Sequence, residues 1–204
     1  MIVPTLTLEK SLWRQGYRNI VGIDEVGRGS WAGPLVAAGV IFPQNVNLPK
    51  GLADSKLIPA KKRVKLAKLI KNLATATLIV EIPSQKLDRI FLARAAQVAF
   101  RKIVYSIRPK PDYCLIDAFY IKHLAKNRQE AVRGGDKICA SIAAASIIAK
   151  VYRDNLMVKY HTIYPNYGFA SHKGYGTLEH QKAIRSYGFT KIHRMSYKLK
   201  YLYG

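Results

Sequence analysis

A chain of 204 residues is long enough to bury one sizeable core, and its 49% apolar content excludes wholesale disorder. The 34 Lys and Arg residues against 12 Asp and Glu give a formal net charge of +22, which points to a polyanionic partner, nucleic acid first, and says nothing about fold. The longest apolar stretches, 35–42 and 142–149, are too short to cross a bilayer, and the N-terminus lacks a signal-peptide pattern, so a cytoplasmic protein with no membrane partner is expected.

Residues 19–24 and 35–42 read as two buried strands joined by a glycine-rich turn at 27–33, followed by a loop to 55. Over 59–73, Val64, Leu66, Leu69, Ile70 and Leu73 recur at helical spacing while Lys61, Lys62, Lys65, Lys68 and Lys71 cover another face, the pattern of a basic amphipathic helix. Residues 77–82 read as a strand. Ser84 is expected to cap a helix running to about 107, with Leu87, Ile90, Phe91, Ala95, Val98 and Phe100 on its buried side. The strand 113–118 ends in an acid, and a short strand at 131–133 leads into Gly134-Gly135-Asp136. Residues 141–154 form a helix whose small-residue face suits close packing on a sheet. A Gly, Pro and Tyr-rich loop at 164–175, a helix at 178–187 and a basic, tyrosine-rich tail complete the chain. Strands and helices mixed in this way predict an α/β domain around a mixed sheet. Cys114 and Cys139, in apolar settings, read as core residues rather than a disulfide or metal pair.

Acids are scarce, so their placement carries information. Asp24 and Glu25 stand together at the end of an apolar strand, Asp117 closes Tyr113-Cys114-Leu115-Ile116, and Asp136 follows paired glycines. Strand ends along one sheet edge can bring such residues together. Neighbours on a strand point to opposite faces, so Glu25 is expected to join Asp24 only if the chain leaves strand geometry there. Clustered carboxylates need protons, arginines or metal ions; oxygen-only ligands favour Mg²⁺ or Mn²⁺ over zinc, and the five histidines show no ligand spacing. The plain alternative is that abundant Lys and Arg simply salt-bridge these acids.

Gly27-Arg28-Gly29 is followed by Gly33 and a strand, which does not fit a dinucleotide fingerprint. Two glycines around a cation either let the backbone approach a phosphate or sugar hydroxyl closely or make an ordinary hairpin turn. Tyr175, between Gly174 and Gly176, either lies against a base or sugar or packs. Asp54-Ser55-Lys56 is either a turn and cap or a phosphate clamp.

GIDEVGRGSWAGPLVAAGVIF, GLADSKLIPAKKR, LIDAF, GGDKICASIAAASIIAKVYRD, YGFASHKGYGTLEH and YGFTKIHRMSY, in this order over 17–197, together resemble bacterial ribonuclease HII. The resemblance implies an α/β, ribonuclease H-like fold: a mixed central β-sheet flanked by helices, plus a C-terminal helical extension. A catalytic domain over 1–164 and a substrate-binding extension over 165–204 are expected. It also implies a metal-dependent endoribonuclease using two Mg²⁺ or Mn²⁺ ions. Its substrates would be RNA/DNA hybrids and ribonucleotide-containing duplex DNA, cut 5′ of the ribonucleotide to leave 3′-hydroxyl and 5′-phosphate ends. By motif position Asp24, Glu25, Asp117 and Asp136 are the catalytic, metal-binding acids. Gly27, Arg28, Gly29 and Tyr175 then recognise the 2′-hydroxyl and the RNA-to-DNA step, with Ser55 and Lys56 also contacting substrate. Asp154 is an extra acid, expected to pair with Lys150 or Arg153. A monomer is expected. Ala53 stands where the family commonly has Asn, which would remove a polar side chain beside a DNA-binding loop. Another metal nuclease of the same fold would share the acids without needing a 2′-hydroxyl, and a non-catalytic binder would use them as salt bridges.

Overall fold

The computed structural model describes residues 3–197 and Leu199; residues 1 and 2 and the end of the tyrosine-rich tail, 198 and 200–204, lie outside the described residues. The first element, α1 (Thr7–Arg14), is amphipathic and buries Glu9 with Leu12. Glu9 Oε1 accepts hydrogen bonds from Ser141 N at 2.8 Å and Cys139 Sγ at 3.2 Å, which fastens the helix to the core. β1 (Ile20–Val26) and β2 (Leu35–Ile41) form the expected antiparallel hairpin. α2 (Ala60–Leu73) then leads to β3 (Ala76–Ile82), antiparallel to β2. β4 (Tyr113–Asp117) adds parallel to β1, and β5 (Gln129–Val132) parallel to β4. The sheet order is β3-β2-β1-β4-β5, mixed as the sequence predicts.

Every residue of β2 is buried, because helices cover both faces. Val36, Ala38 and Val40 face one helical layer; Leu35, Ala37 and Ile41 face the other, the two-residue alternation of a strand. The first layer holds α2 and α6 (Ala140–Ile163), a helix that runs on beyond 154. Its small residues let it lie almost on the sheet: a Cβ added to Gly22 would come within 2.2 Å of the Ser141 carbonyl carbon. Ala53 is buried in this layer too, so the missing polar side chain is a core position and not a loop-surface contact.

The opposite layer departs from expectation. The helix expected over 84–107 is two helices, α3 (Ser84–Ile90) and α4 (Leu92–Ser106), broken at Phe91 with φ 60° and ψ 159°. Pro83, not Ser84, is the N-cap position, and Phe91 is exposed rather than buried. Beyond the break α3 keeps Leu87 in the same core as Val80 and Ile82 and meets the C-terminal segment. There Asp88 accepts from Met195 N, Ser196 N and Ser196 Oγ at 3.0, 3.0 and 2.7 Å. In α2 the buried face is Arg63, Leu66, Ala67 and Ile70, whereas Val64 and Leu69 are exposed. The buried residues follow the i, i+3, i+4, i+7 spacing of one helix face, and an arginine occupies a place on it.

α5 (Gly135–Ile138) precedes α6, and the region 164–175 contains a short helical turn and α7 (Phe169–His172) where only a loop is expected. α8 (Leu178–Tyr187) matches its expected span, with Thr177 Oγ1 accepting from His180 N. The chain after α6 returns to the hairpin turn, where Ser30 bridges Tyr175 and Ala32 bridges His193. Cys114 and Cys139 are free and buried, as expected. Among the described residues no helix is long and apolar enough to cross a membrane.

Candidate active site

Asp24, Glu25, Asp117 and Asp136 line one cavity of about 600 Å³ at the open end of the β1–β4 pair. β1 runs on in strand form to Val26, so the expected departure at Glu25 does not occur. The pairing with β4 ends at Ile23 opposite Ile116, and beyond that point β1 has no neighbour on this side. Side chains from both of its faces therefore reach the same notch. Asp117 closes β4, and its Oδ1 accepts from Gly135 N at 2.8 Å, which anchors the turn carrying Asp136.

All four carboxyls are held above the usual carboxylate range, in every case chiefly by burial. Asp24 is the most affected, with the charge of Glu25 as the next cause. Asp136 feels Asp117 second. Arg28 opposes the effect at Glu25, donating from Nη1 to Oε1 at 3.1 Å, while Glu25 Oε2 is buried with no partner. Arg28, Lys56, Arg63 and Lys150 also line the cavity, but Arg63 and Lys150 are paired with Asp154 and only Arg28 forms an ion pair with one of the four acids. Oxygen donors alone, mutual repulsion and an orphaned buried oxygen suit a hard divalent cation. The carboxyls line the cavity without closing on one point: among the described residues no three His, Cys, Asp or Glu side chains are gathered closely enough to hold a metal ion.

The turn after β1 uses its two glycines differently. Gly27 has φ +91° and a Cβ there would meet Arg153 Nε at 2.4 Å, so it is required by packing. Gly29 has open space around it. Arg28 between them lies over the Phe119 ring, 5.0 Å from its centroid. Ser55 and Lys56 line the cavity; Ser55 is buried, 3.0 Å from Ser146 Oγ, and Lys56 is exposed. Tyr175 completes the lining from the C-terminal segment. Its flanking glycines serve packing and not ring access: a Cβ on Gly174 would meet the Ala32 carbonyl at 2.5 Å, and one on Gly176 the Trp31 ring at 2.3 Å.

Compared with known proteins, residues 21–200 match the family model for ribonuclease HII. The chain belongs to the ribonuclease HII family. A ribonuclease HII of Desulfitobacterium hafniense is 46% identical over 189 residues, 93% of this chain and 72% of that protein. One from Acholeplasma laidlawii is 43% identical over 197 residues, 97% and 96% of the two chains. Among solved structures, the ribonuclease HII of Archaeoglobus fulgidus, determined in complex with PCNA, is 25% identical with a TM-score of 0.75, over 91% of this chain and 97% of that one. The ribonuclease HII activity is endonucleolytic hydrolysis of RNA in RNA/DNA hybrids and at ribonucleotides embedded in duplex DNA, and the family uses divalent metal ions.

Several neighbours of this cavity are not visible in the sequence. Asp154 pairs with Lys150 at 2.6 Å, as expected, and with Arg63 at 3.1 Å, but not with Arg153. Arg63 and Lys150 line the same cavity, and Arg63 also donates to the Ser55 and Ile58 carbonyls at 2.8 Å each. Arg153 is fully buried and donates instead to the carbonyls of Pro34, Ala32 and Lys173, each at 3.0 Å. Arg194 is buried beside it and donates to the carbonyls of Gly33 and Arg28 at 2.9 and 3.1 Å. Only the position of Arg153 at the end of a small-residue helix hints that it is internal; nothing marks Arg63 or Arg194.

Tyr175 is held by three histidines whose protons can be assigned from their partners. Thr190 N donates to His193 Nδ1 at 2.8 Å, so the His193 proton is on Nε2, 3.0 Å from His180 Nε2. His180 accepts there and donates from Nδ1 to the Tyr175 carbonyl at 3.0 Å. His172 accepts from Gly174 N at Nδ1 and donates from Nε2 to the Tyr167 carbonyl. Every ring must be neutral for the chain to hold. Burial accordingly pushes His180 and His193 down to about 4. Since the unfolded chain binds these protons more readily, their contribution is complete above about pH 6.5 and is lost as pH falls toward 4. The melting midpoint of the wild type should therefore drop relative to His193→Gln across this window. The cavity carboxyls act in the opposite sense in both proteins, so they cancel in the comparison. Parallel melting curves would refute the relay.

Proposed function

We propose that Asp24, Glu25, Asp117 and Asp136 are the catalytic acids of this ribonuclease and hold two Mg²⁺ or Mn²⁺ ions during cleavage. Gly27, Arg28, Gly29 and Tyr175 recognise the ribonucleotide, Ser55 and Lys56 take substrate phosphate, and residues 165–204 act as a substrate-binding extension on a catalytic domain of residues 1–164. What supports this reading is the shared cavity, which four carboxyls raised by burial line together with Arg28, Lys56 and Tyr175. The bound ions would supply Lewis acidity, lowering the pKa of the attacking water and stabilising the departing 3′-oxygen. Asp24 Oδ1 accepts from Glu25 N at 2.7 Å, which fixes the carboxyl's orientation before any ligand arrives. Lys56 bears on both Asp117 and Asp136, lowering each, and its exposed ammonium is free to meet a phosphate. Arg28 is tethered at one nitrogen to Glu25 and has further donors for a phosphate or a 2′-hydroxyl.

The test is to map the ends produced from a DNA duplex containing one ribonucleotide, with and without Mg²⁺. One incision 5′ of the ribonucleotide, leaving 3′-hydroxyl and 5′-phosphate ends only when metal is present, is expected. Equal cutting of an all-DNA duplex would overturn the sugar-reading role.

Two substitutions in the turn separate packing from recognition. Gly29→Ala has room and an ordinary φ, so it should melt like the wild type while cutting the single-ribonucleotide duplex more slowly. Gly27→Ala should lower the melting temperature as well, because Arg153 must move. A Gly29→Ala enzyme of full activity would remove Gly29 from the recognition set. At Tyr175, losing the hydroxyl costs about 1 kcal/mol and losing a stacked ring ~1–3 kcal/mol, so Tyr175→Ala should be the worse variant. The defect should fall mainly on the single-ribonucleotide duplex, since a continuous RNA strand offers many registers. Wild-type rates on both substrates would make Tyr175 a packing residue.

A further inference from the structure

Beside the catalytic cavity lies a second one, of about 590 Å³, for which the reaction above has no use. Arg28 lines both, so the two adjoin across its guanidinium. Ala93, Ala96 and Phe100 of α4 contribute an apolar floor, and Phe119 and Tyr120 a wall of aromatic rings that are 46% and 55% exposed. Arg94, Arg101 and Lys122 supply the charge. No acid lines the cavity, and among the described residues none of these three cations forms an ion pair.

The wall is built to stay open. Gln97 donates to the Tyr120 carbonyl at 2.9 Å and accepts from Lys122 N at 2.8 Å. From the other side Gln129 accepts from Ile121 N at 2.7 Å and donates to the carbonyls of Ile121 and Leu124 at 3.0 and 2.7 Å. Two glutamines thus clamp the backbone of the loop and leave its aromatic side chains outside. Rings held in solvent on a fixed backbone are preorganised for a partner, which avoids the ordering cost of binding.

Flat rings over an apolar floor, rimmed by unpaired cations, match one chemistry: a base with its phosphates. Bases inside a duplex stack on one another and cannot offer a face to Phe119 or Tyr120. We propose that this cavity takes an unpaired nucleotide of the substrate strand next to the cleavage site, its base against Phe119 and Tyr120 and its phosphates on Arg94, Arg101 and Lys122. The proposal rests on the reading of the Asp24 cavity as the cleavage site, because Arg28 joins the two.

Binding measured by fluorescence anisotropy in chelator keeps the test independent of catalysis. The probes are single-ribonucleotide duplexes that are blunt, or that carry a short unpaired extension on the 5′ or the 3′ side of the ribonucleotide. One polarity should bind at least about 5-fold more tightly than the blunt duplex, the smaller end of what one stacked base contributes. Tyr120→Ala should remove that gain, as should an abasic extension, while blunt-duplex affinity and cleavage stay at wild-type levels. Arg94→Gln, at an exposed position, should halve the gain or more and provides a second variant. The proposal fails if neither polarity binds more tightly. It fails too if an abasic extension binds as well as a normal one, or if both variants weaken blunt and extended duplexes alike, since the groove then tracks duplex backbone. Loss of cleavage assignment at Asp24 would leave these binding results standing, so the two readings fail separately.

Discussion

Asp24→Asn is expected to stop cleavage while stabilising the metal-free fold. The side chain is 6% exposed, and burial followed by the neighbouring charge of Glu25 raises its pKa well above the usual value. An acid whose pKa is higher folded than unfolded is bound by more protons in the native state, so stability falls as pH rises through that interval. As pH rises above the unfolded value the wild type bears a growing penalty, and Asn, nearly the same size, bears none. Melts in chelator at neutral pH should place Asp24→Asn above the wild type, with the gap narrowing as the solution is acidified toward the unfolded value. Added Mn²⁺ should raise the melting temperature of the wild type more than that of the variant. Cleavage of a single-ribonucleotide duplex should fall by more than about 100-fold, beyond the loss usual for residues that merely support metal ligands. Asp136→Asn should lose activity likewise. A variant that cut normally, or that melted below the wild type in chelator, would sink the assignment.

Arg153→Met should be the most destabilising single change proposed, although it touches no catalytic acid. Arg153 is fully buried and satisfies the carbonyls of Ala32, Pro34 and Lys173, so one guanidinium joins the hairpin turn, α6 and the C-terminal segment. Methionine fills much of the volume but leaves three buried acceptors without donors, at about 1–3 kcal/mol each. A loss of at least about 3 kcal/mol corresponds to roughly 6–12 °C in melting temperature for a chain of this size. Lysine should not rescue it, because a compact ammonium cannot reach three diverging carbonyls as a planar fork does. Whatever folded protein remains should discriminate single ribonucleotides poorly, since the guanidinium also lies 5.7 Å from the Tyr175 ring centroid. A near-native melting temperature would show that solvent or a neighbour satisfies the carbonyls.

The comparison of these two residues shows where sequence reading succeeds. Asp24 stands out because acids are rare here and this one follows an apolar run, both readable from neighbouring residues, and the fold places it in the cavity. Arg153 is one of 34 basic residues, and two of its three bonded partners, Pro34 and Ala32, are 119 and 121 positions away. The break at Phe91 is hidden for a related reason: 84–107 has adequate apolar residues for one helix, and the bonds that hold α3, from Met195 and Ser196 to Asp88, span 107 and 108 positions.

By itself the sequence determined the five strands, the mixed sheet, the longer helices at 60–73, 140–163 and 178–187 and four acids that stand out from the rest, because apolar runs, helical periodicity and isolated acids are written in contiguous residues. Tertiary structure alone decided which cations are structural and which stay available. Arg63, Arg153 and Arg194 are buried on carbonyls, whereas Lys56, Arg94 and Lys122 remain exposed. It alone set the protons of the histidine relay and opened the second cavity beside Arg28. The reason is physical: a guanidinium or an imidazole takes its role from the groups the fold brings to it, and those groups come from distant parts of the chain.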